Sequence, residues 1–165
     1  MARRVFYSFH YAPDSWRASQ VRNMGILDGN LPATDNDWEA IKRGGDNAIR
    51  RWIDGQLQGR SCTVVLIGNQ TAGRKWIRYE IESSWNNNKG LLGIYVHNLR
   101  DASARQAYKG GNPFEQFSIN SGQYKLSTIV RAYDPPYTDS RLAYNYIHSN
   151  LASWIEEAVS IRSRF

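Results

Sequence analysis

The run Cys-Thr-Val-Val-Leu-Ile at positions 62–67 constrains the fold more than any other part of the sequence. β-Branched residues dominate this run, and they favour extended backbone. Apolar and polar residues do not alternate along it, so neither face is expected to meet water. Strands buried on both faces are typical of parallel sheets that carry helices on each side. The run therefore predicts an α/β domain built on a central parallel sheet.

Four other segments are predicted to be strands, and helical segments alternate with them. The predicted strands are residues 5–9, a short second strand near 26–27, the run 62–67, residues 91–96 and residues 126–133. The predicted helices are residues 16–24 after a cap at Asp14 and Ser15, 46–58 before Gly59, 74–86 and 140–161. This alternation predicts one domain over residues 1–165. We expect a flavodoxin-like three-layer sandwich with a five-stranded parallel sheet in the order 2-1-3-4-5.

Composition narrows the class of protein. The chain has 165 residues, which suits a single domain with a substantial core. Its one cysteine, Cys62, excludes an internal disulfide and is expected to be a buried thiol in a reducing compartment. No apolar run approaches the roughly 20 residues of a membrane span, and the N-terminus lacks the features of a signal peptide. We therefore expect a soluble, cytoplasmic protein with no membrane partner.

The net charge of +6 raises the question of nucleic-acid binding. The basic residues occur singly or in pairs and alternate with acidic residues along the whole chain, and no basic tract or tail is present. This distribution disfavours nucleic acid as a partner. A moderate positive field still suits an anionic small molecule such as a dinucleotide.

Several common kinds of site are missing from the sequence. There is no P-loop motif, and no Gly-x-Gly-x-x-Gly follows the first strand. The acidic residues that a phospho-receiver domain needs after strands 1 and 3 are absent as well. The three histidines and the cysteine have no metal-ligand spacing, so no metal site is predicted. No nucleophile stands beside a base in a convincing triad.

In a sheet of this order the ligand crevice lies at the carboxyl ends of strands 1 and 3. The predicted helix after strand 3 places Glu80 four residues after Trp76, hence on the same face. Helical side chains tilt toward the N-terminus, so Glu80 is expected to lean toward the crevice, partly buried beside Ile81. Spacing alone leaves a second interpretation open, in which Glu80 is a surface acid paired with a nearby arginine or lysine.

Three segments carry a resemblance to a known family. Val5-Phe6-Tyr7-Ser8-Phe9-His10-Tyr11 resembles the first strand box of TIR domains, and Trp76-x-x-x-Glu80-Ile81 resembles the helix after their third strand. Together with Trp16-Arg17 and Val21-Arg22-Asn23, these segments are similar to the TIR-like ThsB proteins of bacterial Thoeris anti-phage defence. The resemblance covers nearly the whole chain in order, although residues 98–123 carry no recognisable motif.

The resemblance implies cleavage of the nicotinamide–ribose bond of NAD, followed by conversion of the ADP-ribose to a cyclic signal. It places the catalytic carboxylate on Glu80, with NAD as substrate and no cofactor or metal. The leaving group of NAD is already cationic and departs neutral, so no general acid is required. One ionised carboxylate aimed at the ribose would stabilise an oxocarbenium-like transition state.

Further residues are expected to bind substrate under this hypothesis. Phe9, His10 and Tyr11, next to Ser8 at the end of strand 1, are candidates for stacking on the rings of NAD. Asn69 is a candidate ligand for ribose or phosphate. The remaining candidates are Trp76 for a ring contact and Arg22, Lys42 and Arg43 for the pyrophosphate. For each of them, core packing, a turn or simple solvation is the alternative explanation.

The resemblance also implies partners. A separate effector would respond to the diffusible nucleotide, a phage-derived trigger is expected, and homo-oligomers are possible. The main alternative function is a non-catalytic TIR-like interaction module that uses the loop 28–45 and an aromatic surface. A nucleic-acid-binding domain is the third hypothesis.

Overall fold

The computed structural model describes residues 3–24 and 41–165. Its elements in chain order are β1 (Val5–Phe9), α1 (Tyr11–Arg22), α2 (Gly45–Leu57), β2 (Cys62–Ile67), α3 (Lys75–Asn86), β3 (Gly90–Tyr95), a 3-10 turn (Pro113–Gln116), β4 (Ser118–Ile119), β5 (Tyr124–Lys125), a second 3-10 turn (Leu126–Thr128), β6 (Ala132–Tyr133) and α4 (Ser140–Ser163). No described helix combines the length and apolar character needed to cross a membrane.

Four strands form the main sheet in the order β1-β2-β3-β6, and every neighbouring pair is parallel. Val5 pairs with Cys62, and Cys62 pairs with Gly90, so the first three strands start level. The predicted strands 1, 3, 4 and 5 are therefore confirmed as neighbours in a parallel sheet. The predicted second strand near 26–27 lies outside the described residues, and the five-stranded order stays a prediction.

Helices cover both faces of this sheet, because every second side chain of a strand points to the same face. On one face α1 and α4 bury Val64, Leu66, Leu92 and Ile94. On the other face α3 buries Val65 and Ile67, while α2 packs against Phe6. All six residues of β2 are buried, as its composition predicts.

Two predicted boundaries are wrong. The strand predicted at 126–133 is extended only at β6, because the amides of Ile129 and Val130 both donate to the Leu126 carbonyl and close a turn. The first helix begins at Tyr11 rather than after a cap at Asp14 and Ser15. Asp14 lies inside the first turn of α1, and its carboxylate pairs with Arg17 instead of capping the helix.

Residues 98–123, which carry no recognisable motif, have structure of their own. The turn Pro113–Gln116 begins with Asn112, whose side chain accepts a hydrogen bond from the Phe114 amide at 2.9 Å. Phe114 is fully buried against the α3 side of the sheet. An antiparallel hairpin, β4 with β5, follows. The segment is thus anchored in the core and lies beside the loop that precedes α3.

Candidate active site

The carboxyl ends of β1 and β2 lie side by side, since Phe9 pairs with Leu66. β1 leads into His10 and α1, and β2 leads through the loop 68–74 into α3. These two connections are the ones that the sequence predicts to border a ligand crevice. They place most of the predicted site residues at one edge of the sheet.

Glu80 lies in the second turn of α3 and points into the domain. Its side chain is on the same helical face as Ile77, Ile81 and Ser84, all of which are buried. Only 6% of Glu80 is exposed, and no ion pair to it is present among residues 3–24 and 41–165. The surface-acid interpretation is therefore wrong. The helix itself is fixed to the sheet nearby, because Ser84 Oγ lies 2.7 Å from Thr63 Oγ1 and donates to the Glu80 carbonyl at 2.6 Å.

Burial governs the electrostatics of Glu80. Removal from water raises the pKa of its carboxyl to about 8, and the nearby Ser8 hydroxyl opposes this rise only in part. Ser8 Oγ is buried and has no hydrogen-bond partner of normal geometry in the part of the chain that the structure describes, so it stabilises the charged carboxylate only weakly. The sequence predicts an ionised carboxylate, whereas burial favours the protonated form of Glu80 at neutral pH.

The residues after Ser8 end β1 and begin α1. Phe9 and Tyr11 stack with ring centroids 5.9 Å apart. His10 precedes the helix, and its Nδ1 is buried without a partner among the described residues. Burial lowers the pKa of His10, and the nearby Arg74 guanidinium lowers it further. The imidazole is therefore neutral at physiological pH and available for hydrogen bonding.

Arg22 does not join Glu80. Its guanidinium lies over the Phe9 ring at 5.3 Å and close to Tyr7, and burial lowers its pKa. Tyr7 and Phe9 pack on the core formed with α1 and α4, whereas Ser8 points to the opposite face with Glu80. The geometry gives no support for Arg22 and Glu80 binding the same end of one ligand.

Trp76 and Asn69 occupy different environments. The Trp76 ring lies between Lys75 and Arg50, whose cationic groups are 4.9 and 5.7 Å from its centroid. It also packs against the α2 core, which favours a structural role for this side chain. Asn69 is exposed in the loop after β2. Lys42 and Arg43 are exposed just before α2.

Sequence reasoning missed a buried assembly that joins the loops of this edge. Arg17 is 3% exposed and pairs with Asp14 at 3.0 Å. The same guanidinium donates to the carbonyls of Leu99 at 2.8 Å and Arg105 at 2.9 Å. The Asp14 carboxylate also lies against Gly68, where any side chain would collide with it. The pair Asp14 and Arg17, three residues apart in a helix, was the available sequence signal.

The described residues show no metal centre. Within residues 3–24 and 41–165, no group of three His, Cys, Asp or Glu side chains comes together to hold a metal ion. Two open surface pockets of about 350 and 460 Å³ border the outer side of α3, one beside the β4–β5 hairpin and one beside α2. Glu80 lines neither pocket.

A parallel sheet covered on both faces, with a Trp-x-x-x-Glu helix after its second described strand, is the arrangement expected of a TIR-like domain. The family model described as "Thoeris protein ThsB, TIR-like domain" matches residues 6–101, which include β1, β2, α3 and β3. The chain therefore belongs to the ThsB TIR-like family, as the sequence predicts.

A curated relative extends the similarity beyond this region. The chain is 37% identical over 141 residues to a protein from Bacillus cereus (strain MSX-D12) named "Putative cyclic ADP-D-ribose synthase ThsB1". The aligned region covers 76% of this chain and 70% of the relative. Family membership is thus supported over about three quarters of the sequence.

Proposed function

We propose that this chain cleaves the nicotinamide–ribose bond of NAD and converts the ADP-ribose part to a cyclic, diffusible nucleotide in anti-phage defence. The observation that carries the proposal is the position of Glu80 in a ThsB TIR-like domain: its carboxyl is buried in the second turn of α3 and has no ion pair among residues 3–24 and 41–165. The activity named for the Bacillus cereus relative supports the same chemistry. A separate effector would respond to the product, and a phage-derived trigger would start its synthesis.

Glu80 would act by electrostatic stabilisation. In NAD the bond between ribose C1′ and the pyridinium nitrogen breaks with its electron pair going to the nitrogen, so nicotinamide leaves neutral. Positive charge develops on the ribose, and a carboxylate in a site of low dielectric constant stabilises it strongly. A nucleophilic atom of the ADP-ribose, or water, then attacks C1′ and gives the cyclic or the hydrolysed product.

The raised pKa of Glu80 fits this role once substrate is considered. A carboxyl with a pKa of about 8 is mostly neutral at neutral pH. A bound pyridinium ribose brings a positive charge close to it, which favours the ionised form and lowers its pKa. Substrate binding would therefore release a proton from Glu80 and create the charge that the transition state requires.

Mass spectrometry of small-molecule extracts tests the proposal. Cells that express the wild-type chain, Glu80→Gln or Glu82→Gln are infected with phage, and NAD and its cyclic ADP-ribose products are quantified. Glu82 is an exposed acid two residues away on the same helix, so Glu82→Gln is the matched control. We expect products in wild type and Glu82→Gln, and none in Glu80→Gln. Equal product levels in all three strains would contradict the catalytic role of Glu80.

The interaction module remains the second candidate, because large side chains are exposed on α1 and α4. Trp16 and Leu142 are 56% and 48% exposed. This function predicts no NAD loss in any strain and a concentration-dependent oligomer in light scattering. The loop 28–45, which the sequence associates with this function, lies mostly outside the described residues.

A further inference from the structure

Tyr108 is the most exposed large apolar side chain among residues 3–24 and 41–165, with 89% of its surface accessible. It lies in the segment that follows β3, in the part of the chain for which the sequence predicts no role. Loops held by a rigid scaffold carry a disproportionate share of binding residues, so the exposed ring of a well-held loop is a candidate ligand contact.

The backbone around Tyr108 is held on both sides. The Ala107 amide donates to the His97 carbonyl at 2.8 Å, which fixes the segment to the end of β3. On the other side, Gly110 packs directly against the Gly68 carbonyl and the Asn69 backbone, so that no side chain would fit there. The ring is therefore presented from a fixed loop rather than from a loose one.

Lys109 adds a second attachment beside the ring. Its ammonium group pairs with Asp134 at 2.9 Å and lies 4.6 Å from the centroid of the Tyr95 ring. Tyr95 ends β3, and Asp134 follows β6. The segment 107–110 thus bridges the carboxyl ends of β2, β3 and β6, the edge at which parallel α/β sheets bind ligands.

We propose that Tyr108 stacks on the non-reacting base of the dinucleotide substrate, the adenine of NAD. This inference rests on the proposed function and adds a specificity residue to it. Glu80 lies beside Ser8 of β1. The neighbours of Tyr108 are attached further along the same edge, Ala107 to His97 after β3 and Gly110 to Gly68 and Asn69 after β2. A dinucleotide with its nicotinamide ribose at Glu80 extends its other base along this edge. A fixed, exposed tyrosine offers that base a π surface at low entropic cost.

The test compares two ligands that differ in the adenylate half. The affinities of NAD and nicotinamide mononucleotide are measured by isothermal titration calorimetry, or as KM values where the protein consumes the ligand. We expect Tyr108→Ala to weaken NAD binding about tenfold and to leave the mononucleotide unchanged. Tyr108→Phe keeps the π surface and should bind NAD like wild type. Tyr124→Ala, in the β4–β5 hairpin, is the matched control for loss of a partly exposed tyrosine.

Each outcome has a definite meaning. Equal weakening of both ligands, or an unchanged NAD affinity in Tyr108→Ala, would overturn the assignment. A lower melting temperature of Tyr108→Ala would show that the ring stabilises the fold, and this would contradict a role confined to ligand binding. If wild type binds NAD and Glu80→Gln loses turnover while Tyr108→Ala binds normally, only the stacking proposal fails. If wild type does not bind NAD at all, the proposed function itself fails.

Discussion

At the scale of single residues, the main feature is a carboxyl group that α3 places among apolar side chains. Glu80 shares its helical face with Ile77 and Ile81, and the nearby Ser8 hydroxyl compensates little of the lost hydration. The charged form of Glu80 is therefore destabilised in the folded domain relative to the unfolded chain. This difference links the protonation of Glu80 both to the stability of the domain and to its activity.

The first prediction concerns the stability of Glu80→Gln. The pKa of Glu80 rises from 4.5 to about 8 on folding, so its contribution to stability is fully present below pH 4.5 and is lost as the pH rises through about 8. In this window the wild type should lose about 1.4 kcal/mol per pH unit relative to Glu80→Gln, which cannot ionise. Urea denaturation at several pH values gives this difference. Glu82→Gln should parallel the wild type, and parallel curves for Glu80→Gln would contradict the raised pKa.

The second prediction concerns the pH dependence of catalysis. If the ionised form of Glu80 is the catalytic one, log kcat/KM should increase with a slope near one from about pH 6 to about pH 8 and then level off, since kcat/KM reports the pKa values of the free enzyme. Initial rates of nicotinamide release across this range measure the profile. A profile that is flat, or that falls over this interval, would show that the ionised carboxyl is not required.

At the scale of elements, α1 is held in place by a buried ion pair. Arg17 pairs with Asp14 and donates to two carbonyl groups of the segment after β3, while Asp14 packs against Gly68 after β2. Burial raises the pKa of Asp14, and Arg17 opposes that rise. The pair thus connects three chain segments at the crevice edge, and the loss of either partner leaves polar groups buried without compensation.

The third prediction compares two arginine substitutions. Arg17→Met leaves the fully buried Asp14 carboxylate unpaired and should destabilise the domain by about 3–5 kcal/mol. Arg3→Met removes an exposed pair with Glu156 of α4 and should leave the free energy of unfolding nearly unchanged, because solvent screens this pair. Urea denaturation of both variants near neutral pH measures the difference. Similar losses of unfolding free energy in the two variants would mean that the buried pair of Asp14 and Arg17 stabilises the domain no more than an exposed pair does.

The same elements show what the sequence could predict. β2 and α3 were predictable, because a run of apolar residues and a helical apolar stripe each have one simple explanation. The segment just before β6 was not predictable, because Leu126 and Val130 are buried in a turn rather than in a strand. Hydrophobicity reports burial and not backbone geometry. The start of α1 was misjudged because Asp14, a typical capping residue, lies inside the helix and forms a buried ion pair with Arg17 of the same helix.

The candidate site was predictable only in part, because local spacing gives the face of a residue but not its tertiary contacts. The spacing of α3 placed Glu80 at the edge of the apolar stripe, but its burial depends on the packing of α3 against the sheet, where Ser8 of β1 lies beside the carboxyl. The separation of Arg22 from Glu80 depends on which face each β1 residue occupies. Contacts of this kind join residues far apart in sequence, and no local pattern encodes them.

At the scale of the whole molecule, the positive charge is dispersed rather than concentrated. Arg3, Lys75 and Lys109 have acidic partners on different elements. Lys125 and Arg131 have partners as well, in Glu115 and Glu157. Because these pairs offset positive charge locally, we expect the net charge of +6 to act as a general field rather than as one continuous basic surface. Such a field favours the approach of a small anion at low salt.

The last prediction distinguishes nucleic-acid binding from the attraction of a small anion. Proteins that bind DNA nonspecifically have Kd values of roughly 10⁻⁴–10⁻⁶ M at physiological salt, and their affinity falls steeply as salt increases. We expect no binding of a short fluorescent DNA duplex or single-stranded RNA by anisotropy at about 10 μM protein and physiological salt, because few phosphates can be neutralised at once. A steep linear dependence of log Kd on log salt would instead reveal a continuous basic surface and support the nucleic-acid hypothesis. NAD affinity should change much less over the same salt range, since one small ligand displaces few counterions.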